Sequence, residues 1–289
     1  MMLTFKLALV AAAVAIPFAV TVALAAVFAA LARLRPQTSP LGHPAPAPGD
    51  YRRRQIARLE RRAWAWLAPT LIAALLLALL WLWLRGAQVG TDAVAGAGDI
   101  LPLGLAAALL AVGLAGIARV FALRRRLQHA LTAELITAQC LHELARRDCV
   151  VMHDIAGEGG VRIDHVVIAP AAVYAVATGS RLLARPGGSA EVRYDGERLA
   201  FPVWEEVRPL REVRTQAQWL AAWLAREVGE VPVLPVLALP GWKVLGTGPA
   251  DAVLVINPRD CGFMAEPSVS PLDGGLRERI GAALARRAA

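Results

Sequence analysis

Three long apolar runs fill the first 123 residues of this chain and constrain its folding more than any other feature. A hydrocarbon core of about 30 Å takes roughly 20 helical residues to cross, and each run is long enough. The first covers residues 7–34, with Pro17 as a kink; the second covers 65–84; the third covers 100–123. Trp64 and Trp66 flank one end of the second run, and Trp81 and Trp83 the other, as expected of amphipathic rings at a membrane interface. In the third, Arg119 has to snorkel or sit near the interface. Buried helices of a soluble protein are the alternative for each run. For the first, a signal peptide is the rival, because Lys6 precedes it and small-residue "ALA" sites lie within it. Its length exceeds the ~7 to 15 apolar residues of such peptides, and arginines follow closely. Composition agrees with membrane spans: 57% hydrophobic, 19% charged and a mean hydropathy of +0.49 over 289 residues.

The loops orient these spans. Arg33, Arg35, Arg52, Arg53, Arg54, Arg58, Arg61 and Arg62 lie between the first two runs, while residues 86–99 carry only Asp92 and Asp99. Arg124, Arg125 and Arg126 follow the third run. By the positive-inside rule the N-terminus is outside and everything after residue 123 is cytoplasmic, which predicts a multi-pass inner-membrane protein. Residues 1–129 hold 14 Lys+Arg and 4 Asp+Glu, giving +10; residues 130–289 hold 17 and 19, giving −2. The net +8 therefore belongs to the membrane flanks and their lipid headgroups, and the second half has no bulk field to attract nucleic acid. Cys140, Cys149 and Cys261 are odd in number and lack metal-ligand spacing, as suits a reducing compartment. His43 lies in a Pro/Ala-rich connector within the first loop.

The remainder predicts a compact α/β domain, with a membrane domain over 1–126 and a cytoplasmic domain over 127–289. Leu127, Leu131, Leu135, Ala138, Leu141 and Leu144 recur at helical spacing. Strands follow at 149–155, 161–169 and 173–178, separated by the turns "GEGG" and "PAA". "EVRYDGERLAF" has a hairpin signature at Asp195 and Gly196. Leu210, Val213, Ala217, Leu220 and Leu224 mark one face of an amphipathic helix that Gly229 stops. The apolar strands "VPVLPVLAL" and "DAVLVIN" come next, and residues 272–289 form a terminal helix.

These pieces carry a resemblance. Glu134 in "TAELITAQCL", then "RIDHVVIAP", a "VYAV" strand, the hairpin "VRYDGERLAF", the helix "QAQWLAAWL" and the turn "LALPGW" resemble, in that order, the nuclease-related domain (NERD) family. The resemblance covers roughly residues 130–260, with "IDHVVIAP" its most specific stretch. That family is similar to the PD-(D/E)XK restriction-endonuclease-like superfamily, which implies a mixed sheet covered by helices and Mg²⁺-dependent hydrolysis of phosphodiesters. Such chemistry needs carboxylates converging on the metal and a lysine to stabilise charge. An E-x-K pattern supplies two of these groups on one strand face, since alternate residues point the same way.

By that resemblance Asp164 matches the metal-binding aspartate and Glu134 the glutamate of the first helix, while the E-x-K positions hold Ala177 and Gly179. The expectation is a remnant site with a single metal-binding acid, Asp164, should any metal site survive. Asp154 or Glu191 could replace the missing oxygen ligand, and Arg181 or Arg185 the cation; alternatively Asp164 merely pairs with an arginine such as Arg162. His165 points away from Asp164 and reads as a packed core histidine. His142 and Glu143 lack partners at ligand spacing, "GEGG" and "RPGGS" lack a P-loop lysine, and Trp219 and Trp223 read as core. The chain thus reads as a membrane-anchored, catalytically degenerate nuclease-related protein with a binding or regulatory role and no expected cofactor. The rivals are an active nuclease using Mg²⁺ with relocated ligands, and a structural partner of another membrane protein. Lipids are the expected partners, with nucleic acid a weak one.

Overall fold

The computed structural model describes residues 47–86, 97–183, 187–249, 252–267 and 271–288. The first apolar run, His43 and Arg185 lie outside the described residues. Among those described, residues 58–86 and 97–123 form one compact unit, and residues 47–57 and 124–288 form another.

Helices α1 (Asp50–Gly86) and α2 (Ala97–His142) contain the second and third apolar runs. In the first unit Leu75, Leu79, Val112, Leu114 and Phe121 are all more than half exposed. Among the described residues one helical stretch, Ala107–Arg147, is long and apolar enough to cross a membrane, with a mean hydropathy of 1.8. Only 6% of its apolar window is buried in the protein, unlike the core helix of a soluble domain.

The second unit is mixed α/β. Its larger sheet has the order β1-β2-β3-β7-β9, made of Val150–Ala156, Arg162–Ile168, Val173–Thr178, Val233–Ala238 and Leu254–Ile256. The first two pairings are antiparallel and the last two parallel. A smaller sheet runs β6-β5-β4-β8, from Glu205–Glu206, Leu199–Ala200, Glu191–Tyr194 and Lys243–Leu245. Helices α3 (Arg208–Glu227) and α4 (Gly274–Ala288) complete it.

Strand β3 is apolar almost throughout because it is covered on both faces. Val173 and Ala175 pack with Leu220 and Leu224 of α3 and Ile280 and Leu284 of α4. Tyr174 and Val176 pack with Leu141 and Leu144, at the end of α2 and just beyond it, and with Met264. A third cluster joins the sheets: Ala177, Leu237 and Leu239 meet Val192, Leu199, Phe201, Leu210 and Trp242. Helix α3 ends as its pattern predicts, with Gly229 at φ +107°, where a side chain would be strained. Asp195 opens the β4–β5 hairpin by accepting the backbone N–H groups of Glu197 and Arg198, with Gly196 at φ +97°.

Candidate functional site

Glu134 sits on α2 and is 1% exposed; Asp164 sits on β2 with 14% of its side chain exposed. The cation between them is Arg52, from the first turn of α1. Its Nε donates to Glu134 Oε2 at 2.5 Å, and a terminal nitrogen lies 3.7 Å from Asp164 Oδ2. The Thr178 backbone N–H donates to the same Asp164 oxygen at 2.8 Å. Burial, and after it the charge of Asp164, push the Glu134 carboxyl above its ordinary value, with Arg52 pulling it back. Burial also raises Asp164, against Arg52 and the Thr178 N–H. Two acids so placed need a shared cation to remain charged, and a guanidinium supplies it with directed donors.

Residues 47–57 carry that arginine and are tied down at further points. Gly49 has φ +78°, and a Cβ there would collide with Leu131 Cδ1, so the backbone lies directly against α2. Its backbone N–H also helps Arg52 pull the Glu134 carboxyl back down. The Tyr51 N–H donates to Asp154 Oδ2 at 2.9 Å, and the Arg162 guanidinium lies 3.7 Å over the Tyr51 ring. Arg162 also pairs with Asp154, whose backbone is left-handed at φ 64°.

The other anticipated residues are engaged elsewhere. Arg162 takes Asp154 as its partner. Arg181 makes a bidentate pair with Glu206, its Nε 3.0 Å from both oxygens. Glu191 pairs with Lys243 at 3.2 Å across the smaller sheet. Glu143 is exposed beside Arg146. Trp219 and Trp223 stack on each other beneath Arg287.

His165 is fully buried, and its Nδ1 meets His153 Nδ1 at 2.8 Å, one ring donating to the other; Nε2 lies 3.4 Å from Thr178 Oγ1. Burial, then the neighbouring His153, holds His165 down to about 3, so it is a neutral core histidine. His153 is lowered too, chiefly by burial.

The divalent ion that the resemblance implies does not fit these residues. A magnesium site needs several oxygen ligands. Both available carboxylates are turned to a guanidinium, and Ala177 lies in the apolar cluster around Leu237 and Leu239. At Gly179 a Cβ would meet Leu239 Cδ2 at 2.6 Å, so a longer side chain there requires that leucine to move. Among the described residues no group of three or more His, Cys, Asp or Glu side chains is placed to hold a metal.

Sequence reasoning missed Arg52, Gly49, Tyr51 and His153. Arg52 is one of three consecutive arginines and has no local mark of its own. The available signal was Pro48-Gly49-Asp50, a turn and helix start well ahead of the apolar run at 65.

No curated protein and no solved structure matches the chain. The family model of the nuclease-related domain matches residues 130–240, a span that includes both acids and strands β1 to β7. Over those residues, then, the chain is similar to the nuclease-related domain family.

Proposed function

We propose that this chain is a membrane-anchored nuclease-related protein whose domain has lost phosphodiester hydrolysis and serves as a binding or regulatory module. The observation that carries this reading is the engagement of Glu134 and Asp164 by Arg52, beside a strand end filled with hydrocarbon. Ala177 and Gly179, at the positions the family resemblance assigns to the glutamate and lysine, support it. Loss of even one preorganised electrostatic group costs a hydrolase about 3 to 4 kcal/mol of transition-state stabilisation, and here two are missing.

The test is incubation of the purified full chain in detergent with DNA and RNA in Mg²⁺ or Mn²⁺. No cleavage above the Asp164→Ala variant is expected. Ala177→Glu with Gly179→Lys is also expected to gain none, because both acids stay engaged by Arg52 and Leu239 must first move aside for the lysine stem. Metal-dependent cleavage that disappears in Asp164→Ala defeats the reading and favours an active nuclease with relocated ligands. Salt-sensitive nucleic-acid binding without cleavage gives the module a ligand; absence of both favours a protein partner.

Membrane anchoring draws support from the apolar stretch Ala107–Arg147 and the exposed leucines and phenylalanine of the first unit. The orientation we propose, with the N-terminus outside and the domain cytoplasmic, rests on the arginines of the first loop and on Arg124, Arg125 and Arg126. Reporter fusions after Gly98 and at the C-terminus are expected to read opposite sides of the inner membrane; the same side for both rejects this topology.

A further inference from the structure

A largely buried pair of carboxylates left without a cation pushes its own pKa values up and tends to take a proton. In this domain the compensating charge comes from the chain itself, from a segment outside the 130–240 family match. We propose that residues 47–57 form a built-in strap, with Arg52 as the resident cation between Glu134 and Asp164, so that the former catalytic acids now latch the domain to the start of α1.

Three contacts independent of the acid pair bring the strap to the same place. Gly49 takes a left-handed conformation with no room for a Cβ beside Leu131. The Tyr51 N–H is accepted by Asp154, and the Tyr51 ring lies under Arg162. Asp154 and Arg162 belong to the paired strands β1 and β2, so the strap is held from α2 and from the sheet together. An arginine suits this seat better than a lysine because its planar fork addresses two carboxylates at once and its charge survives burial.

The inference rests on the reading of a non-cutting site and deepens it. It is tested by amide hydrogen exchange on the full chain in detergent, comparing residues 47–57 with β3 and β7. Arg52→Gln and Asp164→Asn are each expected to lower protection of 47–57 by about tenfold or more while leaving the strands unchanged. The double variant is expected to show little beyond either single one, as for two halves of one contact. Should Arg52→Gln also unfold the strands, Gly49→Ala decides, because it alters neither acid nor arginine: lost protection confined to 47–57 supports the strap. A strap equally protected in Arg52→Gln or Gly49→Ala overturns the proposal, as do fully additive effects of Arg52→Gln and Asp164→Asn. So does Mn²⁺ binding by the wild-type chain that displaces residues 47–57, detected by electron paramagnetic resonance and exchange together. Cleavage of DNA appearing only in Arg52→Gln supports the strap while defeating the loss of hydrolysis. A strap exposed in the wild type defeats the strap alone.

Discussion

Replacing Arg162 with alanine is expected to destabilise β1 and β2 by about 3 to 5 kcal/mol, the usual cost of leaving one member of a buried ion pair alone. The side chain of Asp154 is 2% exposed, and that of Arg162 is 23% exposed. Without the guanidinium, Asp154 keeps only the Tyr51 N–H among the partners described above. It must then retain an uncompensated charge or take a proton, and its left-handed backbone at φ 64° loses its reason to persist. Arg162→Met combined with Asp154→Asn should recover most of the loss, because the amide still accepts from Tyr51 and tolerates that conformation. Native-state exchange of the β1 and β2 amides measures both. A loss below about 1 kcal/mol for Arg162→Ala, the range of an exposed ion pair, would mean the pair is of the ordinary surface kind.

Acid is expected to be the second strong stressor, through His165. A histidine held at about 3 in the fold and near 6.5 when unfolded is neutral in the fold and gains its proton only on unfolding. Its contribution is complete above about 6.5 and declines by about 1.4 kcal/mol per pH unit below that, until the folded value is reached. Between pH 6.5, where half of the unfolded chains already carry that proton, and pH 4.5 the loss from this residue is therefore about 2.3 kcal/mol. His153, also lowered, adds in the same direction. Glu134 and Asp164, raised by burial, act oppositely: they take up protons in the fold first, so their unfavourable charge is relieved as pH falls. The His165 share is isolated by comparing wild type with His165→Asn across this range, following unfolding by exchange or denaturant. Parallel stability profiles for the two proteins would remove His165 as the source.

The pieces legible beforehand were those whose burial imposes a short-range pattern. Val173–Thr178 is apolar on both faces because it lies inside the larger sheet, and Leu210, Val213, Ala217, Leu220 and Leu224 recur with the helical period because α3 covers that sheet. Asp164 could be singled out because an acid in an apolar strand needs a reason, whereas Glu134 was marked only by the family resemblance. What escaped has no such local mark. Strand β8 has three residues, pairs in parallel with β4 and follows a Pro-Gly turn, too short to show alternation. The 3₁₀ segment Pro258–Ala265 is set by proline and by Asn257 accepting from the Arg259 N–H, a contact visible only in three dimensions. Arg52 reads as one more basic loop residue, and its meaning depends on a contact 82 positions away.

That separation carries a consequence for biosynthesis. The segment bearing Arg52 leaves the ribosome before the acid it will meet exists, and Glu134 follows 82 residues later. At about 5 to 20 residues per second the arginine waits roughly 4 to 16 seconds for its first carboxylate, and longer for the aspartate. Until then it is one cation among many at the nascent chain's surface. Seating it therefore waits until α2 and β2 have been made, and until then an unclasped chain is the form that meets a chaperone or protease.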